Sequence, residues 1–368
     1  MWYQLQNPDS VDSPALLVYK DRVADNIQTM LRLVGGDADR LVPHVKTHKM
    51  KEVVQMQLEA GISKFKCATI AEAEMLADAG AKWILLAYQL VGPKADRYLS
   101  LAAEYPEVQF GSLVDNEDTA QYLNERCGVK GRRIQVFLDV NNGMDRSGHP
   151  IDERILSLYE YLSKLPHLQL AGLHVYDGHI RNEDFAERKA ASDAAFKKVY
   201  ELREQIREKG LPEPMIIAGG SPTFTVHALR EEIYCSPGTC LLWDWGYGDR
   251  FLDQPFLHAA VLITRVISKP APGIITTDLG HKAVSAENPI ERRVRFLNLE
   301  DYQVLSQSEE HGVLQVQNWG QLKVGDVLYA IPYHICPTVA LHDRAAIIEG
   351  GQLVDKWNVV ARNRTLTY

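Results

Sequence analysis

Leu41-Val42-Pro43-His44-Val45-Lys46-Thr47-His48-Lys49-Met50 is the stretch that decides the reading of this chain. A short apolar run, residues 41–45, gives out into a polar, basic turn, and a helical pattern opens at Met50. Lys46 therefore stands at the exit of a strand. In an α/β barrel the strand ends are where catalytic side chains collect. A lysine there can form a Schiff base with an aldehyde, and the cationic neighbours His44, His48 and Lys49 would favour its neutral, nucleophilic amine. An ordinary basic loop accounts for these residues equally well when they are taken alone.

On both sides of this turn the chain alternates. Residues 14–19 read as a strand, and 21–33 carry helical spacing closed by Gly35-Gly36. Short apolar strands are expected at 41–45, 64–69, 83–88, 109–114, 134–140, 168–175, 215–218 and 233–235. Helical patterns fall between most of them, at 70–79, 93–104, 117–126, 152–165 and 184–209. Eight strands alternating with helices predict an α/β fold with a closed (β/α)8 TIM-type barrel. A doubly wound open sheet is the alternative, but no G-x-G-x-x-G follows any of these strands. The rhythm stops near 243–248. From residue 259 the pattern is β, with runs at 260–267, 273–278, 314–316, 327–331, 345–349 and 358–362 separated by Gly, Asn and Pro. The expected division is a barrel over 14–245 and a C-terminal β domain over 246–368, with residues 1–13 joining the latter.

Composition narrows the class. The chain has 368 residues with 46% hydrophobic and 24% charged, enough for two domains and a large core. A net charge of −8 without a basic stripe argues against nucleic acid as a partner. Five cysteines (Cys67, Cys127, Cys235, Cys240, Cys336) are an odd number without C-x-x-C, which points to a reducing compartment. Residues 1–14 lack the pattern of a signal peptide, and no apolar run approaches the ~20 residues of a membrane span. A cytoplasmic protein with no membrane partner is expected.

Several strand ends carry chemistry. Strand seven of the barrel ends in Gly219-Gly220-Ser221-Pro222-Thr223, and strand eight in Ser236-Pro237-Gly238-Thr239. Loops after these two strands commonly bind phosphate: glycines let backbone N–H groups approach an anion and hydroxyls add further donors. Each loop alone is a turn by default. Together, with a lysine after strand one, they favour a phosphate-bearing cofactor. Arg146, on the Gly143–Gly148 turn after strand five, could meet a phenolate oxygen. His174 and Tyr176 share one face at the end of strand six, where Tyr176 could pack beside a ring, and His179 could serve as acid or base. In the β region, His334 and Cys336 lie two apart, so in extended chain both point to one side, and imidazole plus thiolate suits Zn²⁺. Two ligands make at most an open site, and a buried pair without metal explains the motif as well.

Together these motifs resemble the fold-type III, alanine racemase-like pyridoxal-phosphate enzymes, and within them the D-threonine aldolase and D-serine dehydratase family. The resemblance runs from Ser13-Pro14 to Asn363, with Asp278-Leu-Gly-His-Lys-Ala283 among its motifs. It implies that Lys46 bonds covalently to pyridoxal 5'-phosphate and that Arg146 contacts the phenolate, with Gly220, Ser221, Thr223, Gly238 and Thr239 holding the phosphate. It also implies a divalent metal, Zn or Mn, at His334 and Cys336, and a homodimer. Relatives often carry tyrosine where this chain has Cys240, which leaves the partner of the pyridine nitrogen open. The implied activity is a lyase on β-hydroxy-D-amino acids, D-threonine aldolase first, D-serine dehydratase as the alternative. A racemase lacks an identifiable second base. A non-catalytic cofactor-binding protein would leave the β domain without a role.

Overall fold

In the computed structural model, which describes residues 1–368, the stretch 41–45 closes a barrel. One unit comprises residues 30–46, 54–238 and 363–368. Its strands Lys64–Cys67, Trp83–Gln89, Gln109–Val114, Ile134–Asn141, Leu168–Tyr176, Met215–Ala218 and Ile233–Cys235 lie side by side in that order, all parallel. A two-residue strand, His149–Pro150, adds to Ile134–Asn141. Leu41 bridges Cys235, and His44 bridges Lys66 on the opposite edge strand. The Val42 and Val45 N–H groups donate to the carbonyls of Cys235 and Lys66, each at 2.9 Å. The eighth stave is made of bridges instead of a regular strand. Pro43 has no N–H for a continuous ladder, although its carbonyl accepts from the Lys66 N–H at 2.9 Å.

Inside the barrel, Val42, Trp83, Leu85, Leu113, Phe137 and Ile217 form one apolar cluster, the inward half of each strand's alternation. The helices Ile70–Asp78, Pro93–Glu104, Glu117–Val129, Ile155–Ser163 and Phe185–Glu208 alternate with the strands. Their starts are written in sequence. Thr69, Asn116 and Asp184 accept from the N–H groups of Glu72, Thr119 and Glu187, satisfying donors that a first turn leaves free.

The second unit comprises residues 1–29, 47–53 and 239–362. Its sheet runs in the order Tyr302–Gln307, Gly312–Val316, Ile274–Thr277, Ala260–Ala271, Ala15–Tyr19, Arg344–Glu349, Gln352–Asn358. Val327–Pro332 pairs with Ala260–Ala271, and Val294–Phe296 with Val327–Pro332. The N-terminal strand is central: antiparallel to Ala260–Ala271 and parallel to Arg344–Glu349. Tyr3, Leu5, Val11, Leu17 and Tyr19 pack with Val261, Ile263, Tyr329 and Ile348 in its core. Asp278 clamps this arrangement by accepting from Ser13 Oγ and Arg265 N–H.

The expected strand at 358–362 is not formed. Gly350 and Gly351, at φ +55° and +77°, make a two-residue hairpin turn, so the return strand begins at Gln352 and ends at Asn358. Residues Val360–Arg362 are a 3-10 turn. No helix is long and apolar enough to cross a membrane.

Candidate active site

The barrel unit holds a cavity of about 590 Å³ at the C-terminal ends of its strands. Lys46, Arg146, His174 and Tyr176 all line it, joined by His44, Lys66, Tyr88, Gln89 and Ser147. Lys46 is half-buried. Its backbone N–H donates to His44 Nδ1 at 3.2 Å, so that nitrogen carries no proton and the ring is not the expected cation. His48 is not one either. It lies in the β unit, where full burial pushes its pKa down to about 3 and Nδ1 accepts from the Met50 N–H. The cation beside Lys46 in the barrel is Lys66, wholly buried, with Nζ donating to Ser236 Oγ at 2.5 Å. Burial first, then the charge of Lys46, bring the Lys66 amine down to about 7.

His174 is buried with Nδ1 at 2.8 Å from Asp139 Oδ1. Burial works against the Asp139 charge. Hydrogen bonds from His174, Ser147 (2.9 Å) and Gln89 (3.0 Å) outweigh it and hold the carboxylate below its ordinary range. An ionised carboxylate can only accept, so Nδ1 carries the His174 proton. Burial lowers the His174 pKa more than Asp139 raises it, so the ring is neutral and its Nε2 is left as an acceptor. Tyr176 has Arg146 at 5.0 Å and Lys66 at 5.8 Å from its ring centroid, both within cation–π range.

The loops after strands Met215–Ala218 and Ile233–Cys235 hold each other. The Gly238 N–H donates to Ser221 Oγ at 3.2 Å, and Ser236 Oγ donates to the Gly219 carbonyl at 2.8 Å. Any side chain at Gly220 would put Cβ 2.9 Å from the Tyr176 ring, so glycine lets the loop backbone approach that ring. Thr223 is placed differently from the expectation of a phosphate donor: its hydroxyl donates to Asp177 at 2.7 Å, and Asp177 is also bound by His227 Nε2 at 2.7 Å. Thr239 falls in the β unit, with its hydroxyl 3.6 Å from Cys336 Sγ. His179 is exposed and does not line the cavity; its ring abuts Gly143, on the turn that carries Arg146.

Three residues of this constellation escaped the sequence reading. Lys66 lies between Phe65 and Cys67 on a four-residue strand, so period-two alternation sets it on the opposite, inward face. Asp139 lies near the end of strand Ile134–Asn141, whose exit the sequence marks as chemical, while Gln89 ends a strand that it does not mark; only tertiary contact joins them to His174.

In the β unit, His334 and Cys336 do not lie on extended chain. His334 is the last extended residue and Cys336 sits in the first turn of the helix Ile335–Leu341. They are nevertheless partners. Burial opposes charge on His334, but the hydrogen bond and negative charge of Cys336, then Glu287, raise its pKa to about 9. Glu287 hydrogen-bonds His334 Nδ1, and Thr47 Oγ1 lies 3.2 Å from Cys336 Sγ. Asp244, pushed up to about 6 by burial, fixes the segment by accepting from the Ile335 N–H at 3.0 Å. Apart from the Glu287 contact, no group of three His, Cys, Asp or Glu side chains is arranged to hold a metal ion here.

Residues 18–244 match the alanine racemase N-terminal domain family, and residues 259–348 a serine dehydratase domain. The chain belongs to the alanine racemase N-terminal domain family. Over 96% of its length it is 28% identical to a D-threonine aldolase from an Arthrobacter species, covering 93% of that protein. It is 26% identical to a 3-hydroxy-D-aspartate aldolase of Paracoccus denitrificans over the same shares. The crystal structure of D-threonine aldolase from Filomicrobium marinum superposes with a TM-score of 0.89 at 26% identity, covering 96% of both chains. Within its family the protein stands with the pyridoxal-phosphate-dependent lyases.

The barrel cavity fits that cofactor. Its volume is in the range of small-molecule sites, and Lys46 offers it an amine. Lys66 and Arg146 supply positive charge, and the Gly220 backbone borders Tyr176 where a Cβ would intrude. His334 and Cys336 are donor types that suit a soft divalent metal, and Glu287 hydrogen-bonds the imidazole from behind.

Proposed function

We propose that the protein is a lyase that splits β-hydroxy-D-amino acids, a D-threonine aldolase yielding glycine and acetaldehyde. The observation that carries this is the convergence of Lys46, Arg146, His174 and Tyr176 on one cavity at the barrel's strand ends. Pyridoxal phosphate bound there would supply an aldehyde for the lysine and an electron sink for the carbanion left at Cα. Lys46 presents the amine that substrate displaces. Tyr176 walls the site, and Arg146 provides a cation for the ring's oxygen. The neutral His174, fixed by Asp139, accepts hydrogen bonds without adding positive charge. Gly220, Ser221 and Gly238 form the backbone-rich anion grip, and Thr223 stiffens it through Asp177. His179, exposed beside the turn that carries Arg146, stays the acid–base candidate outside the cavity lining. His334 and Cys336 would hold a divalent metal, whose Lewis acidity suits a β-oxygen; a thiolate donor favours Zn²⁺ over Mn²⁺. A variant of a D-threo-3-hydroxyaspartate dehydratase has been solved in a metal-free form, which supports metal use in the family.

The second reading is dehydration of D-serine or a β-hydroxy-D-aspartate to a keto acid and ammonia. The thiolate at Cys336 favours it, because a soft, strongly bound metal suits hydroxide departure. Product analysis with D-threonine, D-serine and 3-hydroxy-D-aspartate separates the two: aldehyde plus glycine from the first route, keto acid plus ammonia from the second. Borohydride reduction of the yellow loaded protein should label Lys46. Label on another lysine, or absence of turnover with all three substrates, would remove the proposal.

A further inference from the structure

We propose that Lys66 is a proton-linked cofactor-binding residue: its amine supplies a cation to the barrel cavity and takes up a proton when a phosphate-bearing pyridine enters. The inference rests on the reading above that the cavity holds pyridoxal phosphate. Its basis is an imbalance. Lys66 is only 2% exposed, yet its Nζ meets a hydroxyl, Ser236 Oγ, and no carboxylate. The charged and titratable groups around it are His44 and Lys46 on the closing stave, Asp139 on strand Ile134–Asn141, Arg146 on the turn after it, and His174, Tyr176 and Asp177. Both carboxylates are committed elsewhere: Asp139 to His174, Ser147 and Gln89, Asp177 to Thr223 and His227. Lys46 and Arg146 add like charge. A buried ammonium in such company is costly unless an anion joins it.

Two features aim this cation at a ligand. Lys66 lines the cavity itself, on the strand beside the stave that carries Lys46. Ser236, its partner, opens the turn whose Gly238 N–H binds Ser221, so Lys66 reaches the base of the anion grip. Burial and Lys46 bring the amine down to about 7, so near neutral pH it is part protonated. A phosphate-bearing ligand favours the charged form and raises that value. The sign follows: loading takes up protons, and affinity falls as pH rises through and above 7.

The probe is pyridoxine phosphate, an alcohol that cannot condense with Lys46, so the titration of that lysine's chemistry is kept out of the measurement. Dissociation constants are read on the full chain, freed of cofactor, between pH 6 and 9. Lys66→Arg keeps the charge throughout and Lys66→Met removes it. The expected result is that Lys66→Met binds about tenfold more weakly at pH 6, the scale of one charge-assisted hydrogen bond. The unmodified protein should follow Lys66→Arg at pH 6 and approach Lys66→Met at pH 9. Calorimetry in buffers of different ionisation heat should show proton uptake beyond that of Lys66→Met. This second measurement on the unmodified protein serves where the larger arginine disturbs the barrel. Parallel profiles for unmodified protein and Lys66→Met, without excess proton uptake, would overturn the inference while leaving the cofactor reading intact. Failure of the unmodified protein itself to bind pyridoxine phosphate would overturn that reading, and this one with it.

Discussion

At the residue scale, Asp177 shows how a group outside the cavity supports it. It is fully buried and held by Thr223 and His227, whose hydrogen bonds and charge outweigh the burial that would raise its pKa. Its folded-state pKa lies below the unfolded value, so the unfolded chain takes up protons first as the solution is acidified. The stability it contributes is present above the unfolded value of about 3.9 and is lost as pH falls through the folded value. Asp177→Ala should cost about 1–3 kcal/mol near pH 7, because it leaves the buried His227 N–H and the Thr223 hydroxyl without their acceptor. Urea melts at pH 7, 5 and 3 check both points: Asp177→Asn should show a smaller loss between pH 5 and 3 than the unmodified protein. An equal loss would place the acid sensitivity elsewhere. Asp139→Ala tests the neighbouring pair. Leaving His174 buried without its acceptor should cost about 1–3 kcal/mol. Loss of the fixed tautomer should also change the visible spectrum of the cofactor-loaded protein, which a purely structural defect would not.

At the scale of elements, the loop Gly219–Gly220 shows what local geometry demands of sequence. Gly219 sits at φ +75°, and a Cβ there would lie 2.5 Å from the His227 ring. Gly219→Ala should therefore be destabilising by about 1–3 kcal/mol through strain and the displaced imidazole, and should weaken cofactor binding with it. A melting temperature and cofactor affinity equal to those of the unmodified chain would show the loop to be more pliant than its packing suggests. The long helix Phe185–Glu208 makes a simpler test. Asp184 accepts from the Glu187 N–H at 2.9 Å, and Asp184→Ala should cost about 1 kcal/mol by chemical denaturation, with no effect on cofactor affinity. The His334 segment is the counterexample. Its two donors were read as strand neighbours, and Pro337 instead stands early in a helix, a position that proline tolerates because the first turn's N–H groups have no partner.

At the scale of the whole molecule, each unit is assembled from distant parts of the chain. Strand Ala15–Tyr19 lies between Ala260–Ala271 and Arg344–Glu349, some 240 to 330 residues away. Deleting residues 1–19 should abolish cooperative folding of the β unit, seen as loss of its near-ultraviolet dichroism, because two strands would lose their shared ladder and Leu17 and Tyr19 would leave the core. A truncated chain with an unchanged spectrum would mean that the remaining strands repack. Chelation addresses the other half of the chemistry. Treatment with EDTA should remove lyase turnover yet leave the visible colour of the loaded protein, since Lys46 needs no metal. Zn²⁺ or Mn²⁺ added back should restore activity, and Cys336→Ala should behave like chelated protein. Full turnover in protein shown by elemental analysis to be metal-free would make His334 and Cys336 a structural pair.

The sequence by itself determined the order of strands and helices, because period-two and helical spacing are local properties: 109–114, 215–218 and 233–235 match the strands residue for residue. It also determined that Lys46, Arg146, His174 and Tyr176 sit at strand ends, and a barrel brings strand ends to one rim. Only the tertiary structure decided what those residues meet. Thr223 spends its proton on Asp177, and His48 is a buried neutral ring beside Met50; neither partner can be read from spacing. Lys66 is the sharpest case. Alternation could place it inward, but its lowered pKa depends on desolvation, on Lys46 from the adjoining stave, and on carboxylates already occupied by other partners. These are through-space terms, which grow with burial and fall with distance, and a linear chain specifies them only once it is folded.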